Sequence, residues 1–284
     1  MAVFVVVAMA GGALAWPGSS SALVTTVKGS AYGYLARVSL FGGPTKSKGP
    51  TPSVKLPANG TLTSGSDPSG LAAFGPATFF ESGKVDVSTQ GTKGLSGSVT
   101  SSTNVAALTN ASGEVFTAAN VASTCSASEG SASASTTITG GMLQTDSGST
   151  GDPNIPDHPA VTVPVDASPA ANTTMSGHIH VNGVTESFDY IFNEQTPNPD
   201  GSISVNAAHQ KLLGPTAVGD LIIGHATCGV TAVATTTTAG STTTTGSTTT
   251  TTGSTTTTTG STTTTTGSTT TTTGSTTTTT GSTT

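Results

Sequence analysis

His178 and His180 are separated by a single residue, Ile179. In a β-strand both side chains would project from one face, the spacing at which two imidazoles share a metal ion. His209 and His225 lie near later strand-like runs and could complete a ligand set. A polar, solvent-facing side of a hairpin accounts for the pair equally well. Glu186, Asp189 and Glu194 are close enough in sequence for paired-carboxylate chemistry, but Glu186 and Asp189 fall on opposite faces of a regular strand. The run from Asp152 through Asp157 to His158 is acidic and carries two prolines. It lacks the Asp/Gly spacing of an EF-hand loop, so a Pro-stiffened surface loop is expected rather than a calcium site. The sequence contains no Gly-x-Ser-x-Gly elbow, His-Glu-x-x-His pair, Walker loop or dinucleotide fingerprint. No catalytic residue and no cofactor is therefore assigned, and His178 and His180 are the metal candidates.

The element that must carry the histidine pair is the clearest in the chain. Gly177 to Val181 and Val184 to Phe188 are β-prone runs separated by Asn182-Gly183. Asn-Gly favours a two-residue type I′ turn, because both central residues need positive φ. That turn pairs Val181 with Val184. Ile179, Val181, Val184 and Phe188 then share one face, and His178, His180, Thr185 and Ser187 the other.

Other strands are expected from alternation or β-prone composition. Tyr32, Tyr34, Ala36, Val38 and Leu40 fall on every second position until Gly42-Gly43-Pro44 breaks the run. Val54 to Leu56, Val85 to Val87, Leu95 to Leu108, Ser131 to Thr139, Tyr190 to Phe192, Ile203 to Val205 and Leu221 to Ile223 are further candidates. No stretch has a convincing helical period. Many short strands punctuated by Gly, Pro and Asn predict an all-β fold, an antiparallel sandwich or barrel-like body.

The chain holds two cysteines, Cys125 and Cys228, each at the end of a strand-like run and neither in a Cys-x-x-Cys pair. An even count in an exported chain predicts a disulfide, here tying the middle of the fold to its last strand.

Export is expected from the other end of the sequence. Residues 1–14 are apolar and uncharged, too short to span a bilayer comfortably. Ala13-Leu14-Ala15 and Ser20-Ser21-Ala22 both suit a small-x-small cleavage site, although no basic leader precedes the apolar run. Cleavage after Ala15 would keep Trp16, the chain's one Trp, and cleavage after Ala22 would remove it. The expected organisation is a signal-like segment at 1–22, a globular domain at 23–233 and a low-complexity stalk at 234–284.

The stalk repeats Gly-Ser-Thr-Thr-Thr-Thr-Thr from Gly246 onward. It has no apolar seam, so the seven-residue period is not a coiled coil. With nothing to bury it is expected to be disordered or extended, and its hydroxyls suit O-glycosylation. Only 8% of residues are charged and 4% aromatic, and the net charge is −6, too mild to imply nucleic acid as a partner. Seven of the eight basic residues lie from Lys28 to Lys93 and eleven of the fourteen acids lie from Glu114 onward. This is a chance imbalance in a weakly charged chain or an acidic face for cations and basic polymers. Asn59, Asn110 and Asn172 open N-x-Ser/Thr triplets, which a bacterium usually leaves unused.

Phe192-Asn193-Glu194-Gln195, Ile203-Ser204-Val205-Asn206-Ala207-Ala208-His209, Gly219-Asp220-Leu221-Ile222-Ile223-Gly224 and Cys228 form a recognisable series, and Pro52 to Pro57 adds an earlier run. These runs resemble the secreted actinobacterial domains called the choice-of-anchor P family. The resemblance covers residues 30–230 but is carried by these short runs alone. It implies an exported surface domain of unassigned biochemical role, joined to varied anchoring tails, and supplies no catalytic residues. No sorting motif, hydrophobic helix or basic stop-transfer run follows the Thr tract, which departs from the pattern. The expected function is a displayed surface domain with a structural or adhesive role, with cell wall or surface polymers as partners and no membrane span beyond the signal segment. The alternatives are a secreted hydrolase or a metal- or carbohydrate-binding module.

Overall fold

A computed structural model describes residues 22–75, 77–109, 116–181, 183–234, 265–267 and 270–272. The signal-like segment up to Ser21, Trp16, Asn110, Asn182 and nearly all of the Thr-rich tract lie outside the described residues. The chain divides into two compact units, 1–237 and 238–284.

The described residues of the first unit form sixteen strands: β1 Ala22–Leu40, β2 Lys46–Lys55, β3 Thr63–Asp67, β4 Gly70–Phe74, β5 Ala77–Ser82, β6 Val85–Thr92, β7 Gly94–Leu95, β8 Ser98–Thr109, β9 Phe116–Ser128, β10 Ser131–Thr139, β11 Met142–Gly148, β12 His158–Pro164, β13 Thr173–Val181, β14 Val184–Pro197, β15 Ile203–Leu213 and β16 Ala217–Ala234. The described residues contain no helix, so the all-β expectation holds. In the second unit, β17 Thr265–Gly267 and β18 Thr270–Thr272 pair antiparallel with each other.

All sixteen strands join one sheet whose main path is β2-β1-β16-β15-β14-β13-β11-β9-β8-β5-β4. The first and last long strands pair along their full length, from Ala22 with Ala234 to Leu40 with Ala217. The two ends of the path approach each other at β2 and β4, so the sheet rolls into a nearly closed barrel. Across its interior β1, β15 and β16 face β8 and β9, as the layers of a sandwich do. The β11–β13 pairing is parallel, whereas the other pairings of the sheet run antiparallel.

The interior has two parts. One gathers the aromatics: Tyr34 stacks on Phe80 with ring centroids 4.3 Å apart, and Phe116 meets Phe192 edge-on at 5.2 Å. The other is filled by small side chains around Cys125 and Cys228. Next to these, buried hydroxyls bond one another, Thr89 with Ser101 and Thr103 with Ser123, each at 2.8 Å. Paired hydroxyls let a chain poor in large apolar residues bury polar side chains with most of their bonds made, although Thr136 Oγ1 is buried without a partner.

Cys125 of β9 and Cys228 of β16 form the expected disulfide, with Cα atoms 5.6 Å apart. Both strands continue past their cysteines, to Ser128 and Ala234, so the bond lies within the layers and not at strand ends. Val181 pairs with Val184, and Gly183 has φ +80°, as the Asn-Gly turn requires. Two sequence expectations need correction. Tyr190 to Phe192 is not a separate strand but the middle of the fourteen-residue β14. Tyr32 also does not share a face with Tyr34: Tyr34 is in the core, while Tyr32 lies against His225 on the outside.

The cause of the second correction organises the outer face. Ala207 and Ala208 are adjacent in sequence, yet both are fully buried. On β16 the same happens at Ile223 and Gly224, where a Cβ on Gly224 would meet Ala207 at 3.0 Å. On β1, Gly33 and Tyr34 are both buried. On β14, Phe192 and Asn193 are. Positive φ at Asn193 (51°) and Gly224 (66°) accompanies the slip. Because each strand slips at the same level, the pairing register passes through unchanged.

Candidate metal centre and a polar network on the outer face

Two groups of ionisable side chains lie on this scaffold, and between them they take four of the five histidines, His178 standing apart.

The first group surrounds Gly148 on β11. Gly148 is the register partner of His158 on β12 and of His180 on β13. Having no side chain, it leaves a gap between them over which the imidazoles meet face to face, with centroids 3.6 Å apart and planes 9° from parallel. A Cβ there would run into the His180 carbonyl, and φ at Gly148 is +118°. Two residues earlier, Asp146 projects from the same face of β11. One ligand atom from each of Asp146, His158 and His180 lies within 4.8 Å of the others. Asp146 Oδ1 is 3.4 Å from His180 Nε2, but it is shut off from solvent and makes no hydrogen bond. The other ring nitrogen of His180, Nδ1, is 3.2 Å from the Thr185 hydroxyl.

His178 shares the face of His180, as the strand spacing requires, but contributes no ligand atom to this group. Its Nδ1 is 3.1 Å from the Ser187 hydroxyl and the residue is exposed. His158 comes from the acidic segment. There Asp152 accepts from the backbone and side-chain amides of Asn154 at 2.8 and 3.0 Å, and Asp157 accepts from Thr150 N–H at 3.3 Å. The loop holds itself in a turn and delivers His158 to β12. The residues gathered around His180 come from two other strands, one through a parallel contact, and local spacing does not reveal them.

His209 and His225 do not approach that group. His180 pairs with Thr185 and His209 with Ile191, six positions apart along β14 (191 − 185), about 20 Å at about 3.3 Å per residue. They belong to a network made possible by the aligned slips. Asn206 and His209 are three residues apart and would face opposite ways in a regular strand. The slip at Ala207-Ala208 turns both outward, and Glu194 Oε2 accepts from both, from Asn206 Nδ2 at 2.6 Å and His209 Nδ1 at 2.8 Å. His209 Nε2 donates to Asp220 Oδ1 at 2.9 Å. The Asn206 carbonyl oxygen then fixes a proton on His225 Nδ1 at 2.6 Å, and His225 Nε2 accepts from Thr227 at 2.9 Å.

The two rings therefore carry opposite charge preferences. Burial works against a charged His209, but bonds to Glu194 and Asp220 outweigh it and hold the ring above its ordinary value. Burial pushes His225 down to about 4, Glu194 only partly opposing. Burial likewise raises Glu194, yet bonds from His209 and Asn206 bring it below the usual carboxylate range. Tyr32, stacked on His225 at 4.4 Å, is pushed up to about 12 by burial, with Arg37 opposing and Glu194 adding. A histidine with both nitrogens bound to carboxylates has no free nitrogen to act as a general base, so this network reads as a structural clasp joining β14, β15 and β16. Of the other carboxylates in that stretch, Glu186 is buried and accepts from Thr216 N–H at 2.7 Å, and Asp189 accepts from Ser176 at 2.6 Å.

Comparison of the chain with protein-family models, with curated proteins and with solved structures returns no match. No helix among the described residues is long and apolar enough to cross a membrane.

Proposed function

We propose that this chain is an exported bacterial surface protein whose β-rich domain, of the choice-of-anchor P kind, is displayed on a Thr-rich stalk in a structural or adhesive role. The observation that carries the reading is the Cys125–Cys228 bridge. Such bonds form and persist outside the reducing cytosol, and this one joins two layers of the domain from wholly buried positions. The apolar run at the start of the sequence and the hydroxyl-rich repeat at its end agree with export and display. The hydrolase alternative gains nothing from the His209 clasp, whose nitrogens are engaged. A sugar-binding module would want several exposed aromatics, whereas Tyr34 and Tyr190 are buried, Tyr32 is covered by His225, and Phe41 alone among the described aromatics is largely exposed. Fractionation of the producing cells tests the proposal: the protein should appear in the wall or medium fraction with no free thiol. Recovery from the cytosol with two free thiols would end it.

A further inference from the structure

We propose that Asp146, His158 and His180 bind a divalent transition-metal ion of the zinc type. Two imidazoles and one carboxylate suit borderline ions such as Zn²⁺ rather than Ca²⁺ or Mg²⁺, which take oxygen ligands. Their ligand atoms already lie within 4.8 Å of one another. Tetrahedral ligands about 2.0–2.1 Å from zinc lie about 3.4 Å apart, so side-chain rotations that tilt the stacked rings suffice to close the site. Three further features favour a cation there. Asp146 Oδ1 is a carboxylate oxygen buried without a hydrogen-bond donor, an unfavourable state that a metal would relieve. The Thr185 hydroxyl at His180 Nδ1 can accept that proton and leave Nε2, the nitrogen nearer Asp146, as the ligand. Gly148 is the one residue type that lets both rings close over β11. Three protein ligands leave a coordination position for water or for a group on a partner surface.

The test is zinc binding by the full chain after chelator treatment, by equilibrium dialysis and calorimetry. One equivalent should bind, and His158→Ala, His180→Ala and Asp146→Asn should each weaken it at least tenfold. His178→Ala should bind as the unmodified protein does. Thr185→Val, with all three ligands intact, should weaken binding severalfold, and it keeps the test open if a ligand variant misfolds. Cobalt substitution should give a visible spectrum of nitrogen and oxygen ligation that His180→Ala abolishes. Less than one equivalent bound, or undiminished binding in both histidine variants, overturns the site.

A separate observation concerns the start of the mature chain. We infer that it begins at Ala22, an inference that rests on the export reading. The Ala22 nitrogen lies 3.1 Å from each carboxylate oxygen of Glu129. An amide has one hydrogen to share between two oxygens, whereas an α-ammonium has three and a charge. Ala22 itself is buried and paired with Ala234. Cleavage after Ser21 places small residues, Ser19 and Ser21, at the two positions the processing enzyme reads. Cleavage after Ala22 would discard the nitrogen that Glu129 holds. Amino-terminal sequencing of the protein recovered from its producing cells should give Ala-Leu-Val. A start at Trp16, Leu23 or another internal residue overturns this inference and leaves export standing. A start at Met1 or Ala2 overturns both.

Discussion

His225 and His209 are linked through Asn206 and Glu194, yet they link stability to pH in opposite senses. His225 sits near 4 in the folded chain against an ordinary 6.5. Its contribution is complete above 6.5 and is lost as pH falls toward 4, because the unfolded chain takes the proton first. A shift of this size corresponds to about 3 kcal/mol. His209 is raised, so its contribution is complete below the unfolded value and fades as pH rises through the folded one. Together they place a stability maximum near pH 6.5. Urea unfolding at half-unit steps from pH 4 to pH 8 should show it, and His225→Asn should flatten the acid limb while leaving the alkaline limb. An unchanged acid limb in that variant would mean that His225 does not titrate as its burial implies.

At the scale of elements, alternation located most strands but misjudged faces wherever two adjacent residues turn inward. The hairpin's strands and register were legible because turn chemistry and alternation agree there, and His178 and His180 share the face they were given. The clasp was not legible: Asn206 and His209 look incompatible on a period of two, and only Ala207-Ala208 side by side, with Gly224 and Asn193 as residues tolerant of positive φ, hint at the slip. The Asp146–His158–His180 group was equally hidden, since a parallel β11–β13 contact cannot be read from local sequence. If the slip depends on Gly224, substitution there should be costly out of proportion to its size. Gly224→Ala adds a Cβ 3.0 Å from both Ala207 Cβ and Thr103 Oγ1 at φ +66°. It should destabilise by at least about 1 kcal/mol. Gly130→Ala makes a control for φ alone, because it also has positive φ (+70°) but meets nothing within 4 Å. Equal melting temperatures for the two variants would show that the close packing at Gly224 does not matter.

For the whole molecule, the question is what holds a domain whose interior is part hydroxyl and part small aliphatic. The first and last long strands pair along their length, so the ends of the domain are zipped together, and the Cys125–Cys228 bond adds a covalent link between layers that the Ser123 hydroxyl also joins, donating to the Gly224 carbonyl at 2.8 Å. It closes a loop of 103 residues. In the chain-entropy account a loop of this length restricts the unfolded ensemble by about 4.7 kcal/mol. The sulfurs share their part of the core with Val24, Val27, Val99 and Val205, and no aromatic ring contributes there. Cys125→Ser with Cys228→Ser should therefore lower the unfolding free energy by about 2–5 kcal/mol, measured by urea titration. A drop several times larger would mean that the hydroxyls also disturb the small-residue core. The paired Ala variant separates these effects, because it removes the link without burying new polar groups. Both sulfurs are fully buried, so the bond should also resist reductant in the folded state and yield only as the chain unfolds. Thiol labelling along the urea titration reads this directly. Reduction that runs to completion before any unfolding, with no loss of stability, would show that strand pairing alone holds the domain closed.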